Sequence, residues 1–355
     1  MSRPRRIVLV SDLHLGAGDT GDPFRRDADF VDFCRHLAGP PVAERGARRL
    51  VVLGDFLELL GVRAPTAVEG VDRIADAHQD VFGALAGLVG TGWDIDVVTG
   101  NHDVELLRPE VRHRLRALLD PGQPGSGRVG FHPWILHVPG VLYAEHGHQY
   151  HDINWFPAMA WAAGRDGTGE VRHPLGAKLG GPRPALAGAL VRNAAGRLLG
   201  TSDPRRRQYR RTALAAIAPD IGLGAGTLRR IDRLPRASTA ATVYRMAALA
   251  GRRPPAPYLY RAATRIDRIL RERGAGCAAY AFGHSHVAEC LPLGDGPARY
   301  VNPGTWCRHV RGPLGHACDG EQATYAVIDC PEAAPPVVSV RPWRRCEEMV
   351  ATEQG

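Results

Sequence analysis

The chain has 355 residues, enough for one large buried core or for a core carrying a substantial insertion. With 44% hydrophobic and 23% charged residues it is neither disordered nor fibrous in composition, and no apolar run approaches the ~20 residues of a membrane-spanning helix. The formal charge of +8 is uneven: residues 152–275 hold 22 Arg, one Lys and eight acidic residues, a net +15, so the remainder is net acidic.

In chain order, Arg6–Ser11 reads as a first buried strand. The N-terminus before it is basic, but the apolar stretch Ile7–Val10 is shorter than the ~7–15 residues of a signal-peptide core, so a cytoplasmic protein is expected. A glycine-bearing loop and a helix over Phe24–Leu37 follow. Arg49–Leu53 is a second strand. Gly70–Val89 reads as one helix, with Val71, Ile74, Val81, Leu85 and Leu88 on a face. Trp93–Thr99 alternates as a third strand, and a helix is expected over Val104–Leu119. Pro133–Val138 and Val141–Glu145 form a hairpin about Pro139-Gly140. Cys277–Phe282, Tyr300-Val301, Thr324–Ile328 and Pro336–Val340 continue in β-structure. Strand–helix alternation first and hairpins later argue for an α/β fold of two mixed sheets with helices outside.

The basic stretch 152–275 is rich in Ala, Arg and Leu and is broken by Pro and Gly. We read it as a largely helical insertion forming a cap, set into a core of residues 1–151 and 276–342, with 343–355 as a C-terminal tail. Leu186, Leu190, Ala194 and Leu198 recur every four residues. A second helix near Tyr258–Arg273 places Leu259, Ala262, Ile266, Ile269 and Leu270 on one face and its arginines mostly off it. Those arginines suit a solvated face, or bidentate contacts to an anionic phosphorylated substrate. An apolar surface rimmed by arginine also suits a lipid-linked molecule or the anionic inner face of a membrane, met peripherally. A nucleic-acid backbone is less favoured, because interleaved aromatics are few. The seven cysteines are scattered and never spaced as Cys-x-x-Cys, so reduced thiols are expected.

Five short segments carry the chemistry: Asp12-Leu13-His14, Gly54-Asp55, Gly100-Asn101-His102-Asp103, His146-Gly147-His148 and Gly283-His284-Ser285-His286. Each follows an apolar run that reads as a buried strand. Carboxylate, amide oxygen and imidazole arriving from five strand ends suit two metal ions rather than one structural ion. Side chains two apart on a strand share a face, so Asp12 and His14 are expected to clasp one ion from the end of the first strand. A carboxylate such as Asp55 can bridge two ions, and Asn101 is a neutral oxygen ligand. Paired ions can activate water and clamp the attacking and leaving oxygens of a phosphoryl displacement.

The order Asp-x-His, Gly-Asp, Gly-Asn-His-Asp, His-Gly, Gly-His-x-His resembles the calcineurin-like metallophosphoesterase superfamily. The resemblance runs from Arg6 to about Ile328, with 152–275 outside it. It implies a four-layer αββα sandwich and two metal ions, Mn first among Mn, Fe, Zn and Co. It implies Asp12, His14 and His286 on the first ion, Asp55 between the two, and Asn101, His146 and His284 on the second. His102 would then stabilise the phosphoryl oxygens or protonate the leaving group, oriented by Asp103. Glu58 fits the family's Gly-Asp-x-x-Asp/Glu position. Ser11-Asp12-Leu13-His14-Leu15-Gly16 and Asn302-Pro303-Gly304-Thr305-Trp306 are similar to a bacterial branch that splits nucleotide–lipid pyrophosphates, the UDP-2,3-diacylglucosamine pyrophosphatase type. His148 departs from the acidic residue of that branch. His148, His151, Asn302 and Trp306 join Glu58 as candidates for the surroundings of the ions or for substrate contact. The expected activity is hydrolysis of a phosphodiester, pyrophosphate or phosphomonoester on a nucleotide- or lipid-linked substrate. The alternatives are a nuclease using the same centre and a catalytically silent binding scaffold.

Overall fold

The computed structural model describes residues 4–39, 47–122, 125–151, 154, 214–215, 218–234, 258–307 and 323–343. The expected helix over Leu186–Leu198, most of the proposed cap, and the tail beyond Trp343 lie outside these residues.

The described strands form two mixed sheets. In the first, β1 (Arg6–Val10), β2 (Arg48–Leu53), β3 (Trp93–Val98) and β4 (Val129–His132) run parallel. Along the other edge lie β10 (Thr324–Asp329) and β11 (Val337–Pro342), each antiparallel to its neighbour. The second sheet is ordered β5 (Ile135–Val138), β6 (Leu142–Glu145), β7 (Ala279–Phe282), β9 (Arg299–Asn302), β8 (Glu289–Pro292). Its central strands β6, β7 and β9 are parallel and its edge pairs antiparallel.

The period-two alternation of these strands builds three apolar cores and hence four layers. Ile7 and Leu9 of β1 and Val51 and Leu53 of β2 face the second sheet, where they meet Leu142, Ala144, Ala279, Ala281 and Val301. The small alanines on that side let the sheets approach. The opposite faces of β1 and β2, with Val8, Val10, Leu50 and Val52, pack with Phe30, Phe33, Ile74, Leu85 and Leu115. Those residues come from α1 (Asp27–Ala38), α2 (Ala67–Ala77), α3 (Gln79–Gly90) and α4 (Pro109–Leu119). On the far side, Tyr143, Tyr280, Phe282 and Tyr300 pack with α5 (Ala225–Asp232) and α6 (Tyr258–Arg271). Thus α6, which the sequence places inside the insertion, forms part of the outer layer of the second sheet. Its apolar face (Leu259, Ala262, Ile266, Ile269 and Leu270) is buried while Arg261, Arg268 and Arg271 are exposed. Burying each such Leu or Ile contributes about 1.5–3 kcal/mol. Among the described residues no helix is long and apolar enough to cross a membrane, and Cys34, Cys277 and Cys290 are free thiols.

Four elements differ from the sequence expectation. β4 and β8 are not expected from the sequence: β4 contains Gly130 and β8 contains Glu289 and Pro292, residue types depleted in strands. The helix expected over Val104–Leu119 is a 3₁₀ turn, Val104–Leu107, followed by α4. Pro109 disfavours helical geometry at Arg108, and it opens the new helix itself. The helix expected over Gly70–Val89 breaks at His78 (φ −122°, ψ 40°). There the His78 ring reaches into the loop after β1, with Nε2 3.0 Å from Asp22 and Nδ1 2.5 Å from Asp27. Asp22 in turn accepts the backbone N–H groups of Gly16, Gly18 and Phe24.

This clasp carries a pH signature. Burial opposes the charge on His78, but the hydrogen bonds to Asp22 and Asp27 outweigh it and raise its pKa above 6.5. Burial likewise opposes the charge on Asp22, and His78 with the loop amides brings its pKa below 3.8. A raised histidine stabilises the fold fully below its unfolded pKa and loses that contribution as pH rises through the folded value. The depressed carboxylate acts oppositely and is lost on acidification. His78→Gln is therefore expected to lower unfolding free energy by roughly 1–3 kcal/mol near pH 5–6 and by less near pH 9. Denaturant melts at the two pH values check this, and equal losses at both would contradict it.

Candidate metal centre

The C-terminal ends of the parallel strands gather at one end of the sandwich. The loops after β1, β2, β3, β6 and β7 meet there and carry the five motifs. Asp12 and His14 lie beyond the end of β1, so strand alternation does not make them converge. Both adopt the left-handed conformation, with φ of 53° and 50°, as do Asp55 (48°), His284 (62°) and His286 (63°). A non-glycine residue held there costs about 1–3 kcal/mol and persists only where its surroundings enforce it.

Those surroundings are visible. The first two loops are zipped by N–H groups of Asp12, His14 and Leu15 donating to the carbonyls of Gly54, Asp55 and Phe56 at 3.1, 2.9 and 3.0 Å. The Asp12 carbonyl accepts from the Thr305 hydroxyl at 2.7 Å. His284 N–H donates to Asp12 Oδ2 at 3.0 Å. Asn302 Nδ2 donates to the Gly283 carbonyl and the Ser285 hydroxyl, both at 2.9 Å. Three motif glycines are required by close approach: a Cβ at Gly54 (φ +84°) would overlap the His146 ring, one at Gly100 would overlap Asp55, and one at Gly283 would overlap the Ser11 hydroxyl.

Within the gathered loops, His286 Nε2 lies 3.0 Å from Asp12 Oδ1 and 3.4 Å from His14 Nε2. His146 Nε2 lies 3.1 Å from Asp55 Oδ2 and 4.0 Å from Asp12 Oδ1. His14 Nε2 lies 3.7 Å from Asp55 Oδ2. Two clusters, Asp12/His14/His286 and Asp55/His146/His284, each bring their ligand atoms within 4.8 Å of one another. A third, His14/Asp55/His102, meets the same distance.

The donors fit metal ions. Asn101 Oδ1 is buried without a hydrogen-bond partner, and Asp12 Oδ1 and His146 Nε2 are buried facing only other ligand side chains, at 3.0 Å from His286 and 3.1 Å from Asp55, an expensive arrangement unless an ion completes it. The imidazoles are turned for ligation. His146 Nδ1 donates to the Leu53 carbonyl at 2.9 Å, leaving Nε2 facing Asp55. His14 Nδ1 faces Glu58 Oε2 at 2.9 Å, which leaves its Nε2 facing the carboxylates. Fixing one ring nitrogen to present the other is how ligating histidines are oriented. The field has the matching sign: burial opposes charge on His146, yet Asp55 and Asp12 outweigh it and push its pKa up to about 9. A pocket that holds a proton so strongly attracts cations generally.

His102 stands at the open side, its side chain 30% exposed. Its N–H donates to Asp55 Oδ1 at 2.8 Å and its Nδ1 lies 2.8 Å from Glu58 Oε2. Burial again opposes charge, but Glu58 and Asp55 raise the His102 pKa to about 9. Burial opposes the Glu58 charge too, and His102 leads in bringing it down to about 2. The expected pairing of Asp103 with His102 is therefore corrected, since Glu58 holds the ring. Asp103 accepts the N–H groups of Gly100 at 2.6 Å and Phe56 at 2.8 Å, and so clamps the third loop to the second.

The remaining candidates are placed as follows. Asn302 ties the fifth motif from behind. Trp306 is wholly buried against Phe30 and Phe33, its indole N–H donating to the Thr324 carbonyl at 2.9 Å. It is a core residue, which removes it from substrate contact. His148 is buried beside His146, and burial with the His146 charge holds its pKa well below 6.5. His151 Nδ1 lies 3.0 Å from His284 Nε2.

No family model and no curated protein matches the chain. The solved structures similar to it include two phosphate-ester hydrolases by their descriptions. One is a phosphopantetheinyl hydrolase from Mycobacterium tuberculosis, at 13% identity and a TM-score of 0.30, covering 87% of this chain and 97% of its own. The other is a Staphylococcus aureus chain assigned as a 5′-nucleotidase, in complex with alpha-ketoglutarate, at 11% identity and a TM-score of 0.35. It covers 98% of this chain, which spans 57% of its length. Both likenesses are loose, and the functional reading rests on the site itself.

The contacts of two residues escape sequence reasoning. Glu58 touches both His14 and His102, although the motif marks only its presence. Asn154, which the sequence offers only as a pocket-lining residue at the opening of the insertion, lies buried with its Nδ2 3.0 Å from His151 Nδ1.

Proposed function

We propose that the chain is a metal-dependent phosphohydrolase of the calcineurin-like metallophosphoesterase type. The observation that carries this is one buried cluster in which carboxylate and imidazole ligand atoms from five loops converge, with the Glu58-held His102 at its open rim. Asp12, His14 and His286 would hold one ion and Asn101, His146 and His284 a second, with Asp55 shared between them. Mn, Fe, Zn and Co all suit this donor set. When bound, such ions would lower the pKa of water and offset phosphoryl charge.

The chain's own residues supply the rest. Glu58 keeps His102 protonated at neutral pH, so its exposed side can stabilise a phosphoryl oxygen or give a proton to the leaving group. Asp55 holds the His102 backbone in place. The left-handed ligand residues, locked by the loop-to-loop hydrogen bonds, fix the donors before substrate arrives. The net +15 of residues 152–275 supports an anionic substrate that extends beyond the phosphate, and a nucleotide- or lipid-linked diester or pyrophosphate is the class we favour.

Turnover of bis-(p-nitrophenyl) phosphate and p-nitrophenyl phosphate by Mn-loaded protein tests the reading. Preferential diester hydrolysis is expected. A preference for the monoester would overturn the diester and pyrophosphate assignment. Metal-independent turnover would overturn the metal reading.

A further inference from the structure

Each imidazole of the pocket whose second nitrogen can be followed is anchored differently. His14 is held by a carboxylate and His146 by a backbone carbonyl. His284 is held by another imidazole. Its Nε2 lies 3.0 Å from Nδ1 of His151, a residue 133 positions away in sequence. The Asn154 amide closes the group, with Nδ2 3.0 Å from His151 Nδ1 and 3.3 Å from His284 Nε2. All three side chains are buried. The His151 and His284 rings sit with centroids 5.3 Å apart and planes tilted by 59°.

The tautomers follow from these contacts. If His284 binds through Nδ1, that nitrogen carries the lone pair and Nε2 carries the proton. The Nε2–H then needs an acceptor, and Nδ1 of neutral His151 is in place to receive it. The segment carrying both partners is itself pinned. His151 N–H donates to the His148 carbonyl and Asn154 N–H to the His151 carbonyl, both at 3.1 Å. Tyr150 is tied through its hydroxyl to Glu145 at 2.6 Å, one residue before His146.

We propose that His151, supported by Asn154, is a positioning residue for the second ion of the centre: by accepting the Nε2–H of His284 it holds that ring with Nδ1 toward Asp55 and His146. This rests on the phosphohydrolase reading above, and it adds that grip on the second ion depends on the chain leading out of the fourth motif. Outer partners of ligating histidines typically change metal affinity by about 10–100-fold. His151 acts through His284 and not on substrate, so its removal lowers ion affinity first and catalysis as a consequence.

The test is calorimetric titration of metal-stripped protein with Mn²⁺, together with Co²⁺ absorption spectra of the loaded protein. In His151→Ala, one of the two binding steps is expected to weaken by about 10–100-fold, with the other step unchanged and the Co²⁺ spectrum altered. His151→Asn places an amide oxygen near the lost Nδ1 and is expected to recover most of the weakened step. Asn154→Ala is expected to weaken the same step by less. Two unaltered steps in His151→Ala overturn the proposal while leaving the phosphohydrolase reading intact. Equal weakening of both steps without rescue by His151→Asn makes the residue merely structural and also overturns it. A wild-type protein that binds no Mn²⁺ overturns the phosphohydrolase reading and this proposal with it.

Discussion

Asp55→Asn is expected to abolish hydrolysis, by at least about 10³-fold, or roughly 4 kcal/mol of transition-state stabilisation. Its carboxylate reaches both ligand clusters. Oδ2 lies 3.1 Å from His146 Nε2 and 3.7 Å from His14 Nε2, one imidazole from each ligand cluster. Oδ1 accepts the backbone N–H of His102. Asparagine keeps the size and tolerates the left-handed backbone that Asp55 adopts. The fold should therefore survive, with the loss falling on the charge that attracts cations. Circular dichroism near wild type, fewer than two ions per chain and no turnover is the expected pattern. Turnover within tenfold of wild type would contradict Asp55 as the shared ligand.

His102→Ala is expected to lower kcat by about 10²–10⁴-fold while leaving metal content at the wild-type level. The ring is held by Glu58 through one nitrogen and is partly exposed, so its other nitrogen is left for substrate. Glu58→Gln should differ in kind. It removes the carboxylate that keeps His102 protonated and also loosens His14. Both kcat and metal affinity are then expected to fall, with the kcat loss smaller than for His102→Ala. The comparison separates a residue that meets the substrate from one that supports two others. Loss of metal in His102→Ala would instead make His102 a ligand, as the His14/Asp55/His102 cluster would permit.

The grouping of the site was readable from sequence because its chemistry sits in short segments at strand ends. Asp12, His14 and His286 are brought together, and so are Asp55, His146 and His284. The means of convergence was not readable. Five left-handed residues aim the ligands, and side-chain identity does not announce a positive φ at histidine. Partners that meet only in space were equally hidden, as with Glu58 and His102 or His151 and His284. The sheets followed from the continuous apolar runs of β1 and β2 and from the alternation of β3. The break at His78 did not, because the apolar face runs through it unchanged from Ile74 to Val81 and only the distant carboxylates of Asp22 and Asp27 draw the ring away.

The most direct measurement is the number of metal ions bound per chain after Mn²⁺ reconstitution and removal of excess, read by inductively coupled plasma mass spectrometry. Two ions per chain in wild type, falling below two in Asp55→Asn, is the predicted result. No bound metal in folded wild-type protein, or a single ion that Asp55→Asn leaves in place, would contradict a centre built for two.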